Sequence, residues 1–396
     1  MSKVIVDEKK IEEILTRGVE EVIDRAHLKK RMMAGERLRI KLGIDPTGPR
    51  LHIGRAIAIW KLRDFQELGH QIVLIIGDFT GRLGDASDKD AQRPMKEKEE
   101  LEKNAQEYKD QLGLILEMDK VELRRNSEWL GGLDFGGVVE LSSLFTVRQM
   151  LNRRNFKERD DKGQEIGLHE FLYPLMQGYD SVAIRADVET GGSDQLFNLK
   201  AGRFIQKKFN QEPQDIITYE MLYGLDGRKM STSWGNIIAL LDEPKEKYGK
   251  IMSMKDEMIV DYFRLVTRVP ITEVEQIKQA LEKDEMNPRD AKMKLAFELV
   301  KMYNGEKEAQ EAEAEFKKVF QKKEKPTEMP EVKIKKLSPE TLVEIGAASS
   351  KGEAKRLMEQ GGVKLNDEKK PDWKEPIALK DGDIIQVGPR KFYRVK

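Results

Sequence analysis

Several residue types and features are absent or scarce in this chain of 396 residues. It contains no cysteine, which excludes disulfides, thiol catalysis and cysteine-containing zinc cages. Only four histidines are present, His27, His52, His70 and His169. Lysine plus arginine and aspartate plus glutamate number 71 each, so no net charge attracts a polyanion to the chain as a whole. A nucleic-acid partner must therefore meet a local basic patch.

Long apolar runs are also absent, since no window approaches about 18 uninterrupted apolar residues. The N-terminal stretch is acidic and amphipathic, unlike a basic segment followed by an apolar run. We therefore expect a cytoplasmic protein that is neither exported nor membrane-spanning. Charged residues make up 36% of the chain, well above the roughly 25% of an average globular protein, which predicts a heavily charged, ordered chain.

Strand-like and helix-like patterns alternate over residues 38–222. A helix is predicted over 8–35. Strands are predicted at 38–46, 71–78, 121–126, 180–188 and 215–222. They are separated by helices predicted at 52–70, from Pro94, at 140–157 and at 194–209. The run QIVLIIGD at 71–78 is nearly continuously apolar, as in a strand buried on both faces. The alternation predicts an α/β fold with a doubly wound, parallel, Rossmann-like sheet. Such sheets bind ligands where the strand order reverses.

The composition predicts a division into domains after residue 243. We expect a catalytic domain over 1–243, a helical domain over 244–323, a charged and proline-containing linker over 324–331, and a small α+β domain over 332–396. The last domain holds 15 lysines and arginines against 10 aspartates and glutamates, a local net charge of +5. This small domain is therefore the candidate basic patch.

The segment DPTGPRLHIGR at 45–55 lies between the first predicted buried strand and a helix. A helix N-terminus offers free N–H groups and a positive dipole to an anion. Gly54 lets a flat ring or a phosphate approach the backbone, and His52 adds a donor. Taken alone, a histidine at a helix start is more often a cap or a packed residue than a catalytic one.

This segment resembles the HIGH signature of class I aminoacyl-tRNA synthetases, and KLGIDPTGPRLHIG (41–54) resembles bacterial-type tyrosyl-tRNA synthetases in particular. KMSTS at 229–233 is similar to the second signature, KMSKS. Segments 77–94, 124–130 and 168–198 also match, and 342–366 resembles a small RNA-binding domain of ribosomal and pseudouridine-synthase proteins. The resemblance implies that L-tyrosine is activated with ATP and transferred to tRNA(Tyr) by a homodimer.

The resemblance also implies an ATP site. His52 and Thr47 would donate to the phosphates, while Lys229, Lys89 and Arg93 would approach the pyrophosphate. Mg²⁺ would arrive with the nucleotide, and no metal held by the protein itself is expected. The other residues implied at this site are Gly43, Asp45, Gly54, Arg55, Asp194, Met230, Ser231 and Thr232.

The tyrosine site follows from the same resemblance. The substrate ammonium would meet Asp85, Tyr173 and Gln177, and Asp180 would accept from the phenol, with Lys41 and Gln195 completing the site. Tyr173, Gln177 and Asp180 are spaced to share one helix face. Three polar residues on one stripe are also compatible with a solvated face, although the apolar Leu172, Leu175 and Met176 favour a pocket.

Three positions depart from the family pattern. Arg55 replaces the second histidine of HIGH, Thr232 replaces the second lysine of KMSKS, and Lys41 stands where many relatives have a tyrosine. A buried lysine there is expected to form an ion pair with Asp180. Two alternatives stay open: a tryptophanyl-tRNA synthetase, and an RNA-binding paralogue that has lost catalysis.

A basic strip in the C-terminal domain is the candidate tRNA contact. It consists of Lys351, Lys355, Arg356 and Lys364, around a predicted helix start and a glycine turn. A charged, solvated helix face is the alternative interpretation. For dimerisation, the sequence offers only an apolar helix predicted near 141–151.

Overall fold

A computed structural model describes residues 3–46, 48, 50–85, 97–230, 234–318, 329–370, 373–388 and 391–396. The chain forms two compact units, one of residues 1–243 and 250–303, the other of residues 244–249 and 304–396. Within the described ranges, no helix has the length and apolar character needed to span a membrane. The predicted boundaries at 244, 324 and 332 stay predictions.

Helices are numbered in chain order through both units. Their bounds are α1 (Glu8–Ile14), α2 (Arg25–Met33), α3 (Ile53–Glu67), α4 (Thr80–Leu83), α5 (Lys98–Leu112), α6 (Ser127–Leu130), α7 (Phe135–Ser143), α8 (Val147–Leu151), α9 (Arg154–Asp161), α10 (Tyr173–Ile184), α11 (Leu196–Lys208), α12 (Pro244–Met252), α13 (Ile259–Val266), α14 (Ile271–Glu282), α15 (Pro288–Asn304), α16 (Glu306–Phe316), α17 (Pro339–Glu344) and α18 (Lys351–Glu359).

Strands are numbered in the same way. Their bounds are β1 (Val19–Ile23), β2 (Arg39–Ile44), β3 (Gln71–Ile76), β4 (Val121–Arg125), β5 (Val188–Gly192), β6 (Asp215–Tyr219), β7 (Glu331–Val332), β8 (Lys336–Leu337), β9 (Val363–Leu365), β10 (Glu368–Lys369), β11 (Ile377–Ala378), β12 (Ile384–Val387) and β13 (Lys391–Val395).

The sheet of the first unit has the order β1-β6-β5-β2-β3-β4. Strands β6, β5, β2, β3 and β4 run parallel, and β1 pairs antiparallel with β6 at the edge. The predicted doubly wound parallel sheet is confirmed, and β3 is the buried strand that its apolar run predicts. From β2 the chain proceeds to β3 and β4 on one side, then returns to β5 on the other. The strand order therefore reverses between β2 and β5, where a ligand crevice is expected.

The single helix predicted over 8–35 is wrong. The structure has α1, then strand β1, then α2, because Gly18 turns the chain at a φ of +63°. Val19, Val22 and Ile23 are β-branched, and they form an edge strand on β6. Local helical spacing was therefore overridden by a sheet partner about 200 residues away.

Two other predicted elements have different bounds. The strand predicted at 180–188 is wrong over most of its length, because α10 continues to Ile184 and Arg185 ends it in a left-handed conformation before β5. The helix predicted over 140–157 is divided among α7, α8 and α9, with Thr146 capping α8. Pro94, the predicted start of another helix, lies outside the described residues.

The second unit contains a small α+β arrangement. Strands β10, β9, β12, β13 and β7 form one sheet, and β11 pairs with β8. Helices α17 and α18 pack on a core that includes Leu342, Met358 and Ile385. Ser338 and Ser350 cap the two helices through their side chains, which explains where each helix begins.

Candidate active site

A cleft of about 1040 Å³ opens at the carboxyl ends of β2 and β5, at the predicted reversal of strand order. Its polar lining comes from the loops that follow the parallel strands and from α10. Among the residues that line it are thirteen of the predicted site residues: Gly43, Asp45, His52, Gly54, Arg55, Asp85, Tyr173, Gln177, Asp180, Asp194, Gln195, Lys229 and Met230. Residues separated by almost 190 positions in the sequence therefore meet in one site.

His52 stands at the N-cap position of α3, with extended backbone and no side-chain cap. Burial, assisted by the nearby charge of Arg55, lowers the pKa of His52 to about 3, so the imidazole is neutral at physiological pH. Its Nδ1 is buried and has no hydrogen-bond partner among the described residues. A neutral imidazole can offer one N–H to an anion without carrying a charge of its own.

Gly54 is the second residue of this helix. A Cβ there would lie 3.1 Å from His52 Nδ1 and 3.2 Å from Met230 Sδ, closer than most Cβ contacts allow. The side chain of Arg55 is directed by a hydrogen bond from its Nη1 to the Tyr108 hydroxyl, at 3.0 Å. The absence of a side chain at Gly54 therefore keeps the first signature and Met230 close together.

The first signature is joined by backbone hydrogen bonds to the segment that follows the second signature. Ile53 N donates to Ile238 O at 3.0 Å, and Leu240 N donates to Leu51 O at 2.9 Å. These two bonds hold the first signature next to the segment that follows the second signature. Thr47, Lys89, Arg93, Ser231 and Thr232 lie outside the described residues, so their predicted roles stay predictions.

The second signature begins at Lys229, whose Nζ lies 3.6 Å from Asp194 Oδ2. Asn236 holds its base: Asn236 Nδ2 donates to the Lys229 carbonyl at 3.1 Å and to Asp226 Oδ1 at 2.8 Å. A Cβ on Gly224 would lie 2.4 Å from Asn236 Nδ2, so glycine is needed for this approach. Asn236 is a positioning residue that the sequence analysis missed.

Asp180 forms the buried polar end of the cleft. Trp129 Nε1 donates to its Oδ1 at 2.8 Å, and Asn126 Nδ2 lies 3.5 Å from its Oδ2. Burial raises the pKa of Asp180 to about 7, against the opposing effects of Lys41, Trp129 and Asn126. Trp129 and Asn126 fall in the segment 124–130, whose resemblance was noted without assigning them roles.

Asp45 follows β2 and accepts hydrogen bonds from two helices that border the cleft, α4 and α10. The Tyr173 hydroxyl donates to Asp45 Oδ2 and the Thr80 hydroxyl to its Oδ1, both at 2.8 Å. Burial raises the pKa of Asp45 to about 6. A Cβ on Gly77 would lie 1.9 Å from Asp45 Oδ1, so only glycine allows β3 to end this close to the carboxylate.

The group predicted to hold an ammonium is arranged around Asp85. Gln195 Nε2 donates to Asp85 Oδ2 at 2.6 Å, and Arg153 Nη2 donates to its Oδ1 at 2.8 Å. Asn198 Nδ2 connects the side-chain oxygens of Gln195 and Gln177, at 2.9 and 3.0 Å. Arg153 and Asn198 had no local signal in the sequence.

The prediction that Lys41 forms an ion pair with Asp180 is wrong, because Lys41 pairs with a different carboxylate. Lys41 Nζ lies 2.8 Å from Glu189 Oε1, and both side chains are fully buried. Residues 41 and 189 are direct neighbours across β2 and β5, and this sheet register decides the pairing. Glu189 was not predicted, because neither its position nor its partner is visible in the sequence.

The basic strip lies in the second unit. Lys351, Lys355 and Arg356 lie on α18, and Lys364 lies on β9 after the glycine turn. Lys351 pairs with Glu340 at 3.3 Å, and Lys355 Nζ lies 4.0 Å from the centre of the Trp373 ring.

Within the described ranges, no group of three histidine, aspartate or glutamate side chains lies close enough together to hold a metal ion.

The sequence was compared with families and with curated proteins. The model for tRNA synthetases class I (W and Y) matches residues 33–321. A tyrosine–tRNA ligase of Thermotoga maritima is 49% identical over 385 residues, which cover 96% of each chain. A tyrosine–tRNA ligase of Haemophilus influenzae is 45% identical over 385 residues, again with 96% of each chain covered.

The fold was compared with solved structures. A C-terminally truncated mitochondrial tyrosyl-tRNA synthetase of Aspergillus nidulans aligns with a TM-score of 0.65 and 24% identity, covering 79% of this chain and 94% of that chain. An Archaeoglobus fulgidus tyrosyl-tRNA synthetase complexed with L-tyrosine aligns with a TM-score of 0.63 and 22% identity, covering 78% and 100%. These structures share the fold. By the extent of the family match and the identity along nearly its whole length, the chain belongs to the class I tRNA synthetases of the W and Y family.

Proposed function

We propose that this chain is a tyrosine–tRNA ligase. It activates L-tyrosine with ATP to give tyrosyl-adenylate and pyrophosphate, then transfers tyrosine to the 3′ end of tRNA(Tyr). The observation that carries the proposal is one cleft with Asp180 at its buried end and His52 and Lys229 among its lining residues. Curated relatives with the same activity in their names, at 45–49% identity over nearly the whole chain, support it.

In the first step, a carboxylate oxygen of tyrosine attacks the α-phosphorus of ATP. The bond from that phosphorus to the bridging oxygen breaks, and pyrophosphate leaves with the electron pair. The protein need form no covalent bond, because positioning and charge stabilisation suffice for such transfers. Neutral His52 donates to the phosphates as charge develops, and Lys229 approaches the leaving pyrophosphate. Mg²⁺ bound to the nucleotide would offset phosphate charge.

The phenol of tyrosine meets Asp180, which Trp129 and Asn126 hold in place. Phenylalanine would leave this buried carboxylate without the hydrogen bond from the substrate hydroxyl, which disfavours its binding. Tyrosyl enzymes are a known example of this rule, by which a polar site rejects an analogue that lacks one hydroxyl. The substrate ammonium is placed near Asp85, Gln177 and the oxygen of Tyr173, all three of which line the cleft.

For the second step we propose that tRNA(Tyr) contacts the basic strip, with residues 244–323 as a helical domain on the tRNA side. We also propose a homodimer in the cytoplasm. Phe135, Val139 and Val147, on α7 and α8, are 84%, 52% and 65% exposed, which suits coverage by a second copy. Sedimentation equilibrium of the full chain would measure its oligomeric state.

The deciding experiment is exchange of labelled pyrophosphate into ATP, measured with each of the twenty amino acids and without tRNA. We expect exchange with tyrosine only. Exchange with tryptophan would transfer the site to the other branch of the family. No exchange with any amino acid, in a folded protein that binds tRNA, would mean that Arg55 and Thr232 mark a site that has lost catalysis.

A further inference from the structure

Lys41 has no hydrogen left for a substrate. Its side chain is fully buried, and its Nζ lies 2.8 Å from each of three acceptors: the Gln177 carbonyl oxygen, Ser181 Oγ and Glu189 Oε1. An ammonium group has three N–H bonds, so all of them are used within the protein. A residue predicted to contact the phenol is therefore occupied elsewhere.

The three acceptors of Lys41 belong to two different elements. Gln177 and Ser181 lie on α10, one turn apart, and Glu189 lies on β5, next to Lys41 on β2. Lys41 thus connects α10 to the two strands between which the strand order reverses. The same turn of α10 carries Gln177 and Asp180 into the cleft.

Glu189 makes the same connection from the other strand. Its Oε1 also accepts from Gln177 Nε2 at 3.1 Å, and its Oε2 accepts from Ser181 Oγ at 3.1 Å. Gln214 Nε2 donates to Oε2 as well. Gln177 is therefore held through both its backbone carbonyl and its side chain by one buried ion pair.

We propose that the Lys41–Glu189 ion pair positions the tyrosine-binding face of α10, so that selection of tyrosine depends on two residues that do not touch it. The inference rests on the proposed function. Breaking the pair lets the turn holding Gln177 and Asp180 shift, and small displacements of positioned groups have large effects on rate. ATP binds through other loops, so its KM is expected to stay constant.

The test uses the full-length chain and the pyrophosphate exchange assay. Variants K41M, E189Q and the double variant are compared, the last having no unpaired buried charge. We expect each to raise the KM for tyrosine about tenfold and to lower the tyrosine-to-phenylalanine ratio of kcat/KM about tenfold, while the KM for ATP changes less than about twofold. The double variant should cost no more than the larger single effect, because both residues act through one network.

Two results would overturn the proposal. An unchanged KM for tyrosine and an unchanged selectivity in the folded double variant would show that the pair has no positioning role. A loss in K41M but not in E189Q would show that Lys41 contacts tyrosine directly. Failure of the wild-type protein to exchange with tyrosine would instead contradict the proposed function, so the two failures are distinguishable.

A matched control is available in Lys292, another buried lysine. Its Nζ donates to the Met254 carbonyl and pairs with Asp256, and neither residue lines the cleft. K292M should lower the melting temperature without changing selectivity. If the ion-pair variants do not fold, S181A removes one acceptor of Lys41 and one donor to Glu189, and it should raise the KM for tyrosine about threefold with an unchanged KM for ATP. No change in folded S181A would then contradict the proposal.

Discussion

Burial shifts the pKa of three ionisable side chains that line the cleft, His52, Asp45 and Asp180. It lowers the pKa of His52 to about 3 and raises the pKa of Asp45 to about 6 and of Asp180 to about 7. Each shift favours the neutral form, as expected where water is excluded. The cleft therefore has one neutral donor, His52, at the proposed nucleotide site, and a carboxyl group at its buried end whose pKa is about 7.

The pKa of Asp180 predicts a pH dependence for tyrosine. An ionised carboxylate accepts from a phenol more strongly than a carboxylic acid does. We expect kcat/KM for tyrosine to increase as the pH rises through about 7 and then to level off. Trp129→Phe removes a hydrogen-bond donor that lowers the pKa of Asp180. The inflection in the pH profile of this variant should therefore move to higher pH. Exchange rates from pH 5.5 to 8.5, about 1.5 units to either side, measure this.

Asp180→Asn should abolish the inflection, and kcat/KM for ATP at saturating tyrosine serves as the control. An inflection that stays at the same pH in Trp129→Phe would contradict the assignment.

The raised pKa of Asp180 also makes the stability of the fold depend on pH. The folded-state pKa of about 7 lies above the ordinary 3.8, so this group stabilises the fold at low pH and loses that contribution as pH rises from about 4 to about 7.

The packing of α10 on α11 positions the residues that are proposed to bind tyrosine. The helices meet at Gly178 and Gly202, where a Cβ on Gly178 would lie 2.6 Å from Ile205 Cδ1 and 3.2 Å from Gly202 N. The Lys41–Glu189 pair fixes the same helix to the sheet next to this contact, since a Cβ on Gly202 would lie 3.2 Å from Glu189 Oε2. The position of α10 is therefore determined by close backbone approach to α11 and by a buried ion pair that connects the helix to β2 and β5.

Gly178→Ala should lower the free energy of unfolding by about 1–3 kcal/mol, because the buried Ile205 and the backbone of α11 leave no room for a methyl group. This cost exceeds the gain of about 1 kcal/mol that alanine brings in a helix interior. Urea denaturation of the wild type and of this variant measures the change in the free energy of unfolding. Gly352→Ala is the control: no atom lies closer than 3.9 Å to a Cβ there, so it should not destabilise. Equal effects of the two substitutions would contradict the packing argument.

At the scale of the whole molecule, the proposed substrate cleft and the proposed tRNA-binding strip lie in different parts of the chain. The cleft lies in the unit of residues 1–243 and 250–303, and the basic strip lies in the other unit. Adenylate formation needs only the cleft. Charging of tRNA also needs cations for the phosphate backbone.

Removal of residues 332–396 should therefore abolish or greatly weaken tRNA charging while sparing pyrophosphate exchange. A full-length variant with glutamine at all four strip positions should lower kcat/KM for tRNA at least about tenfold and make binding less dependent on salt. The matched control carries glutamine at four exposed lysines of the same unit: Lys333, Lys335, Lys374 and Lys380. Unaffected charging in the strip variant, or equal loss in the control, would contradict this assignment.

The two signatures, the α/β alternation and thirteen of the residues that line the cleft could be predicted from the sequence alone, because each belongs to a short segment. Helix α3 after the first signature and buried strand β3 follow from local periodicity and apolar runs. Asp180, Tyr173 and Gln177 share one helix face for the same reason.

Only the tertiary structure decided which distant groups are neighbours. Lys41 pairs with Glu189 because β2 lies beside β5, and residues 19–23 form a strand because β6 offers a free edge. Arg153, Asn198 and Asn236 gained their roles in the same way. The partner of a buried polar group is set by sheet order and helix packing, since burial demands a partner without specifying where in the chain it comes from.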